Sequence, residues 1–93
     1  MAKYLYSLYV FELNEDPRYV YVGQTALSPE ARREQHIHGP HKSRAIRHCE
    51  IGKLRPDLYE KYNPIATRKE AEAMEAWLAG KLQSDGFMVE GGH

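Results

Sequence analysis

Apolar residues crowd the start of the chain with the spacing of a strand. From about Tyr4 to Leu13, one parity holds Tyr4, Tyr6, Leu8 and Val10, and the other holds Leu5, Ser7, Tyr9, Phe11 and Leu13. Both faces are largely apolar, which predicts a strand covered on both sides. Asn14-Glu15-Asp16-Pro17 is a turn signal, and Arg18 to Gln24 reads as a returning strand, so the two form a hairpin. With Tyr9 opposite Tyr21, Glu12 meets Arg18 as a cross-strand charge pair and five residues make the loop. Two phenols then share one face, while Tyr6 points to the other.

The period then changes to that of helices. Ser28 can cap a helix, Pro29 suits its first position, and Glu30 complements its dipole. This helix is expected to reach about His38 and to stop at Gly39-Pro40. A short helix should follow near Lys42 to Cys49. Pro56 and Pro64 bracket a turn of helix holding Leu58, Tyr59 and Tyr62. Thr67-Arg68-Lys69-Glu70 has the form of a capping box, and its helix should run to about Gln83, closed by Asp85-Gly86. Phe87-Met88-Val89 predicts a last strand and Gly91-Gly92-His93 a tail. No repeat, linker or low-complexity stretch is visible, so residues 1–93 read as a single domain of α/β (α+β) class.

Composition narrows the class. An apolar fraction of 42% with 28% charged residues excludes a disordered chain. No apolar run is long enough to span a bilayer, and the residues after Met1 lack the apolar stretch of a signal peptide. Cys49 is the lone cysteine, so no internal disulfide is expected and the setting should be reducing and cytoplasmic. Formal net charge is zero, which alone argues against a nucleic-acid partner. The distribution changes that picture. From Arg32 to Arg55, seven basic residues face only Glu34 and Glu50, a net +5, and the rest of the chain carries −5. Such segregation lets a neutral domain present a basic face to a phosphate backbone; an ordinary solvated helical surface would look the same.

Three constellations carry candidate chemistry. The first is the Tyr9–Tyr21 pair, although tyrosines are common in strands. The second is Arg32 and His36, one turn apart on one helix face, where a guanidinium can clamp a phosphate and an imidazole can hold or move a proton. Arg33 points elsewhere. The third is Glu75. Ala71, Met74, Leu78 and Leu82 mark the buried stripe of the last helix, and Glu75 falls inside it while Glu70 and Glu72 lie off it. A carboxylate there must be paired, protonated or bound to a metal. A phenol, a guanidinium and a carboxylate-held hard cation together suit phosphodiester hydrolysis.

On these residues the chain resembles the GIY-YIG nucleases. The matching text is Leu8-Tyr9-Val10, Tyr21-Val22-Gly23-Gln24-Thr25, Arg32 followed by His36, and Glu70-Ala71 leading to Glu75 and Leu78. The resemblance spans Tyr4 to about Val89. It implies a small three-stranded antiparallel sheet flanked by helices. It also implies an endonuclease acting on nucleic acid, DNA above all. Tyr9 would be the general base or would position the water, with Tyr21 in support. Arg32 would hold the phosphate, His36 would complete the network, and Glu75 would bind one Mg2+ or Mn2+. The first motif departs from the family by lacking its Gly-Ile. Phe87-Met88-Val89 supplies no polar residue of the kind that usually follows the metal-binding Glu. No separate recognition domain is visible, so selectivity would be weak or would depend on a partner or a homodimer. Lys42 and Arg44, just beyond the first helix, are candidate phosphate contacts by charge and position. Two other readings compete: a catalytically silent nucleic-acid-binding module, and a structural zinc site drawn from His36, His38, His41, His48 and Cys49. The spacing of the latter matches no common zinc pattern.

Overall fold

The hairpin is the centre of the fold. In the computed structural model, which describes residues 5–39 and 43–92, it consists of β1 (Ser7–Leu13) and β2 (Asp16–Thr25). Asn14 and Glu15 carry its turn, with φ of 54° and 56°. A pair of left-handed residues matches the right-handed twist of the flanking strands.

The register differs from the expected one. Phe11, not Tyr9, stands opposite Tyr21, Tyr9 faces Gly23, and Glu12 faces Val20. The expected five-residue loop is replaced by a tight turn followed by an irregularity. Leu13 pairs with Asp16, so the ladder skips Pro17, Arg18 and Tyr19 before it resumes. Pro17 has no N–H to offer a ladder, which is why the pairing breaks beside it. The shift is by two residues, so side-chain parity survives and Tyr9 and Tyr21 still share a face. The Glu12–Arg18 pair does not form. Glu12 instead bonds Arg55 at 3.2 Å. Arg18 donates to the Asp85 carbonyl at 3.3 Å and lies over the Phe87 ring.

The sheet is the main correction. It has four strands in the order β3-β1-β2-β4 and is mixed, where three antiparallel strands were expected. The additional strand, β3 (Ile51–Leu54), is short, contains Gly52 and pairs antiparallel with β1. β4 (Met88–Gly91) runs parallel to β2, with Tyr21 beside Glu90 and Val22 beside Gly91. A parallel neighbour needs a crossover, and the chain between the two strands supplies it. Gly91 therefore belongs to the sheet and not to a tail.

The helices follow the capping signals. In α1 (Pro29–His38) the Ala31 N–H donates to the Ser28 hydroxyl. In α3 (Arg68–Ser84) the Glu70 N–H donates to the Thr67 hydroxyl. The helix expected over Lys42–Cys49 is only a 3-10 turn, Arg44–Ile46, and the Pro56 turn is α2 (Pro56–Tyr59) followed by a 3-10 turn, Glu60–Tyr62. Helix α1 lies against β1 and β3, and α3 lies against β1, β2 and β4. Leu8, Val10, Phe11, Leu13, Val20 and Val22 of the hairpin are fully buried, with Ala71, Leu78 and Leu82 of α3 packed among them. Asn63 ties this core to the following loop, accepting from the Leu8 N–H at 2.8 Å and donating to the Leu8 carbonyl at 2.9 Å. No helix among the described residues is long and apolar enough to cross a membrane.

Candidate active site

The hydroxyl of Tyr9 is where the elements meet. β1 delivers Tyr9 into the core, where it is only 1% exposed. Across the sheet, Tyr21 of β2 lies 6.1 Å away ring to ring. From α1, the fully buried His36 shares a 2.9 Å hydrogen bond between its Nε2 and the Tyr9 hydroxyl. Its ring also meets Tyr21 edge-on at 5.2 Å. One turn earlier on the same helix, Arg32 reaches the Tyr9 hydroxyl while donating to Gln35 Oε1 at 3.0 Å. From α3, Glu75 is 8% exposed and close enough to act electrostatically on Tyr9. All five residues singled out by the spacing arguments thus gather at one place. The contact that spacing did not foresee is the direct Tyr9–His36 bond, which makes the imidazole a partner of the phenol.

Two neighbours complete the arrangement. Phe11 stacks on Tyr21 at 5.2 Å and on Tyr9 at 5.9 Å, closing the aromatic wall. Gly23 lets the Tyr9 ring lie flat across β2. A Cβ at Gly23 would clash with the Tyr9 Cζ and hydroxyl oxygen and come within 2.8 Å of Cε1. Sequence reasoning gave Gly23 no positional role. A glycine inside an alternating strand is itself a sign of close backbone approach, so the signal was present.

Electrostatics make Tyr9 a phenol held neutral. Burial raises its pKa well above the usual range, Tyr21 adds to the rise, Arg32 opposes it, and Glu75 adds a smaller upward push. Tyr59, 4% exposed, is likewise pushed up to about 12 by burial, with Glu30 adding to the rise. Both groups hold their protons more tightly folded than unfolded. Their contribution to stability is therefore complete below the ordinary phenol value of 10.0 and is lost as pH rises through the folded values. Denaturant midpoints should be flat from neutral pH to about 10 and fall steeply above it. A midpoint unchanged across that alkaline range would contradict the burial of these phenols.

The basic segment is partly committed to the fold. Arg33 donates to the Gly52 carbonyl at 2.7 Å, and Arg55 bonds Glu12, Asp57 and the Pro17 carbonyl. Arg44 is exposed at the start of the 3-10 turn that packs near β4, and no described contact links it to the Tyr9 cluster. Lys42 lies outside the described residues, as does His41. His38 is exposed and pairs with Glu34 at 3.4 Å. Cys49 meets the Tyr19 hydroxyl at 3.8 Å. Among the described residues no three His, Cys, Asp or Glu side chains group around one point. Comparisons with models of protein families, with curated proteins and with solved structures find no match for this chain.

Proposed function

We propose that the chain is a metal-dependent endonuclease that hydrolyses nucleic-acid phosphodiester bonds, with DNA its principal substrate. Tyr9 and Tyr21 activate water, Arg32 and His36 serve the phosphate end of the network, and Glu75 holds one Mg2+ or Mn2+. What supports this is the meeting of a phenol, an imidazole and a guanidinium from β1 and α1 at one buried oxygen, with a buried carboxylate of α3 near enough to act on it electrostatically. Packing alone does not call for that set, because each polar group costs free energy to bury.

Hydrolysis joins a water oxygen to phosphorus and breaks a bond from phosphorus to a sugar oxygen. The water must lose a proton. A phenol whose pKa is raised cannot wait as phenolate at neutral pH, so the neutral Tyr9–His36 pair does the work. In the tautomer that leaves His36 Nε2 unprotonated, Tyr9 donates to it. Its oxygen then takes the water proton as its own proton passes to the imidazole. Tyr21, ring to ring with Tyr9, supports the water. Arg32 offers a fork of donors to the phosphate oxygens. Glu75 fits a hard cation: it is an acceptor kept from bulk water and near enough to act electrostatically on Tyr9, and Mg2+ commonly takes one or two carboxylates and keeps its waters. When bound, the ion supplies positive charge for the phosphate and the leaving oxygen.

One such site cuts one strand, so a double-strand break would need a homodimer or two sequential cuts. Arg44, and Lys42 beside it, would then bind flanking phosphates. The slope of DNA affinity against salt should fall by about one for each contact removed, and an unchanged slope in Arg44→Ala would count against it. The reading as a whole is tested by incubating the chain with plasmid, single-stranded DNA and RNA, in magnesium and in EDTA. Cleavage in magnesium alone supports it. Binding with no cleavage of any substrate would replace it with a catalytically silent binding module.

A further inference from the structure

A cleft of about 290 Å³ opens at the end of β2, lined by Tyr6, Gln24, Thr25, Ala26 and Arg68. We infer that it is the subsite for the nucleotide next to the scissile phosphate, with Arg68 on that nucleotide's phosphate and the Tyr6 ring and Gln24 amide against its base. The choice of ligand rests on the nuclease reading above.

The cleft lies close to the Tyr9 cluster. Thr25 stands two residues beyond Gly23 on the same side of β2, about 7 Å along the strand, whereas Gln24 and Tyr6 project from the other side, so the cleft wraps the end of the sheet. Arg68 stands seven residues before Glu75, two turns back on α3, or about 10 Å along its axis. A strand and a helix thus place the cleft at similar distances from the Tyr9 cluster, within one or two nucleotides of a bound strand. The lining suits a nucleotide. It offers a guanidinium, an amide, a hydroxyl and an aromatic ring, and no carboxylate. The Tyr6 backbone is pinned by two 2.8 Å hydrogen bonds with Ile65, which fixes the point from which its ring reaches the cleft. Among the described residues the side chains of Tyr6 and Gln24 make no hydrogen bond, which leaves both for a ligand. Arg68 pairs with Glu72 at 3.1 Å and exposed to water, a bond weak enough to yield to a phosphate. Stacking on Tyr6 tolerates any base, while the Gln24 amide can favour adenine by pairing with its major-groove edge.

The test is a titration of the isotope-labelled chain with a mixed-sequence DNA tetranucleotide in EDTA, followed by backbone amide NMR. The amides of Tyr6, Gln24, Thr25 and Ala26 should shift saturably, and Arg68→Ala should abolish the shifts. Lys69→Ala, which removes the same charge one residue outside the cleft, should keep them. In magnesium, Arg68→Ala should raise KM about tenfold with kcat nearly unchanged, and Lys69→Ala should leave both within about twofold. Silent cleft amides, or equal weakening by the two variants, overturn the subsite. The nuclease reading fails on a different result, absence of cleavage by the unaltered chain, which the amide shifts do not influence.

Discussion

Tyr9→Phe is expected to lower the cleavage rate by about 10²- to 10⁴-fold, the usual range for removing a positioned proton-transfer group. The variant keeps the ring and its contacts with Phe11, Tyr21 and His36, and loses only the hydroxyl. That hydroxyl bonds His36 Nε2 at 2.9 Å inside the core, so its loss removes a hydrogen bond from a buried ring nitrogen. A destabilisation of about 1–3 kcal/mol should accompany the kinetic loss. DNA affinity should change little, because the guanidinium of Arg32 remains. Single-turnover cleavage, denaturant unfolding and binding in EDTA separate the three effects. A variant that cleaves at near the parent rate would remove Tyr9 from the chemistry and reduce the Tyr9–His36 bond to packing.

The second large effect is expected at a residue with no side chain. In Gly23→Ala the new Cβ would clash with the Tyr9 Cζ and hydroxyl oxygen. A backbone of the central hairpin cannot yield as the end of a flexible side chain can, so the ring must move. Overpacking of this kind costs about 1–3 kcal/mol. The displaced hydroxyl also loses its line to His36, and a misplacement of about 1 Å can cost 10²-fold in rate. The expected signature is a folded variant with a moderately lowered melting temperature, a rate reduced by about 10²-fold, and an altered environment for the Tyr9 ring. Normal cleavage by Gly23→Ala would mean that the ring position is immaterial.

What was legible in the sequence follows from how local each cause is. The caps at Ser28 and Thr67 involve a hydroxyl and a backbone N–H three residues away, so spacing reveals them directly. Glu75 was visible because helical periodicity shows which face is buried. Strand parity placed Tyr9 and Tyr21 on one face, and a two-residue error in register could not undo that, because parity repeats every two residues. The register itself was hidden. It depends on a left-handed turn at Asn14-Glu15 and a skipped stretch at Pro17, and Glu15 does not advertise a positive φ. β3 was missed because its four residues pair only with β1, a long-range cause that a short segment containing Gly52 cannot signal. The parallel setting of β4 depends likewise on where α3 returns the chain. The destination of Arg55 was illegible for the same reason: its partner Glu12 lies 43 residues away.

A metal-dependent site is tested most directly by comparing the unaltered chain with Glu75→Gln on the substrate that is cleaved best. Glutamine preserves the size of the buried side chain and removes the charge that would hold a cation. Cleavage is expected from the unaltered chain in magnesium, from neither protein in EDTA, and not from Glu75→Gln in magnesium, while both bind the substrate equally in EDTA. Cleavage by Glu75→Gln at the parent rate, or the same activity in EDTA as in magnesium, would contradict a metal-dependent site built around Tyr9 and Glu75.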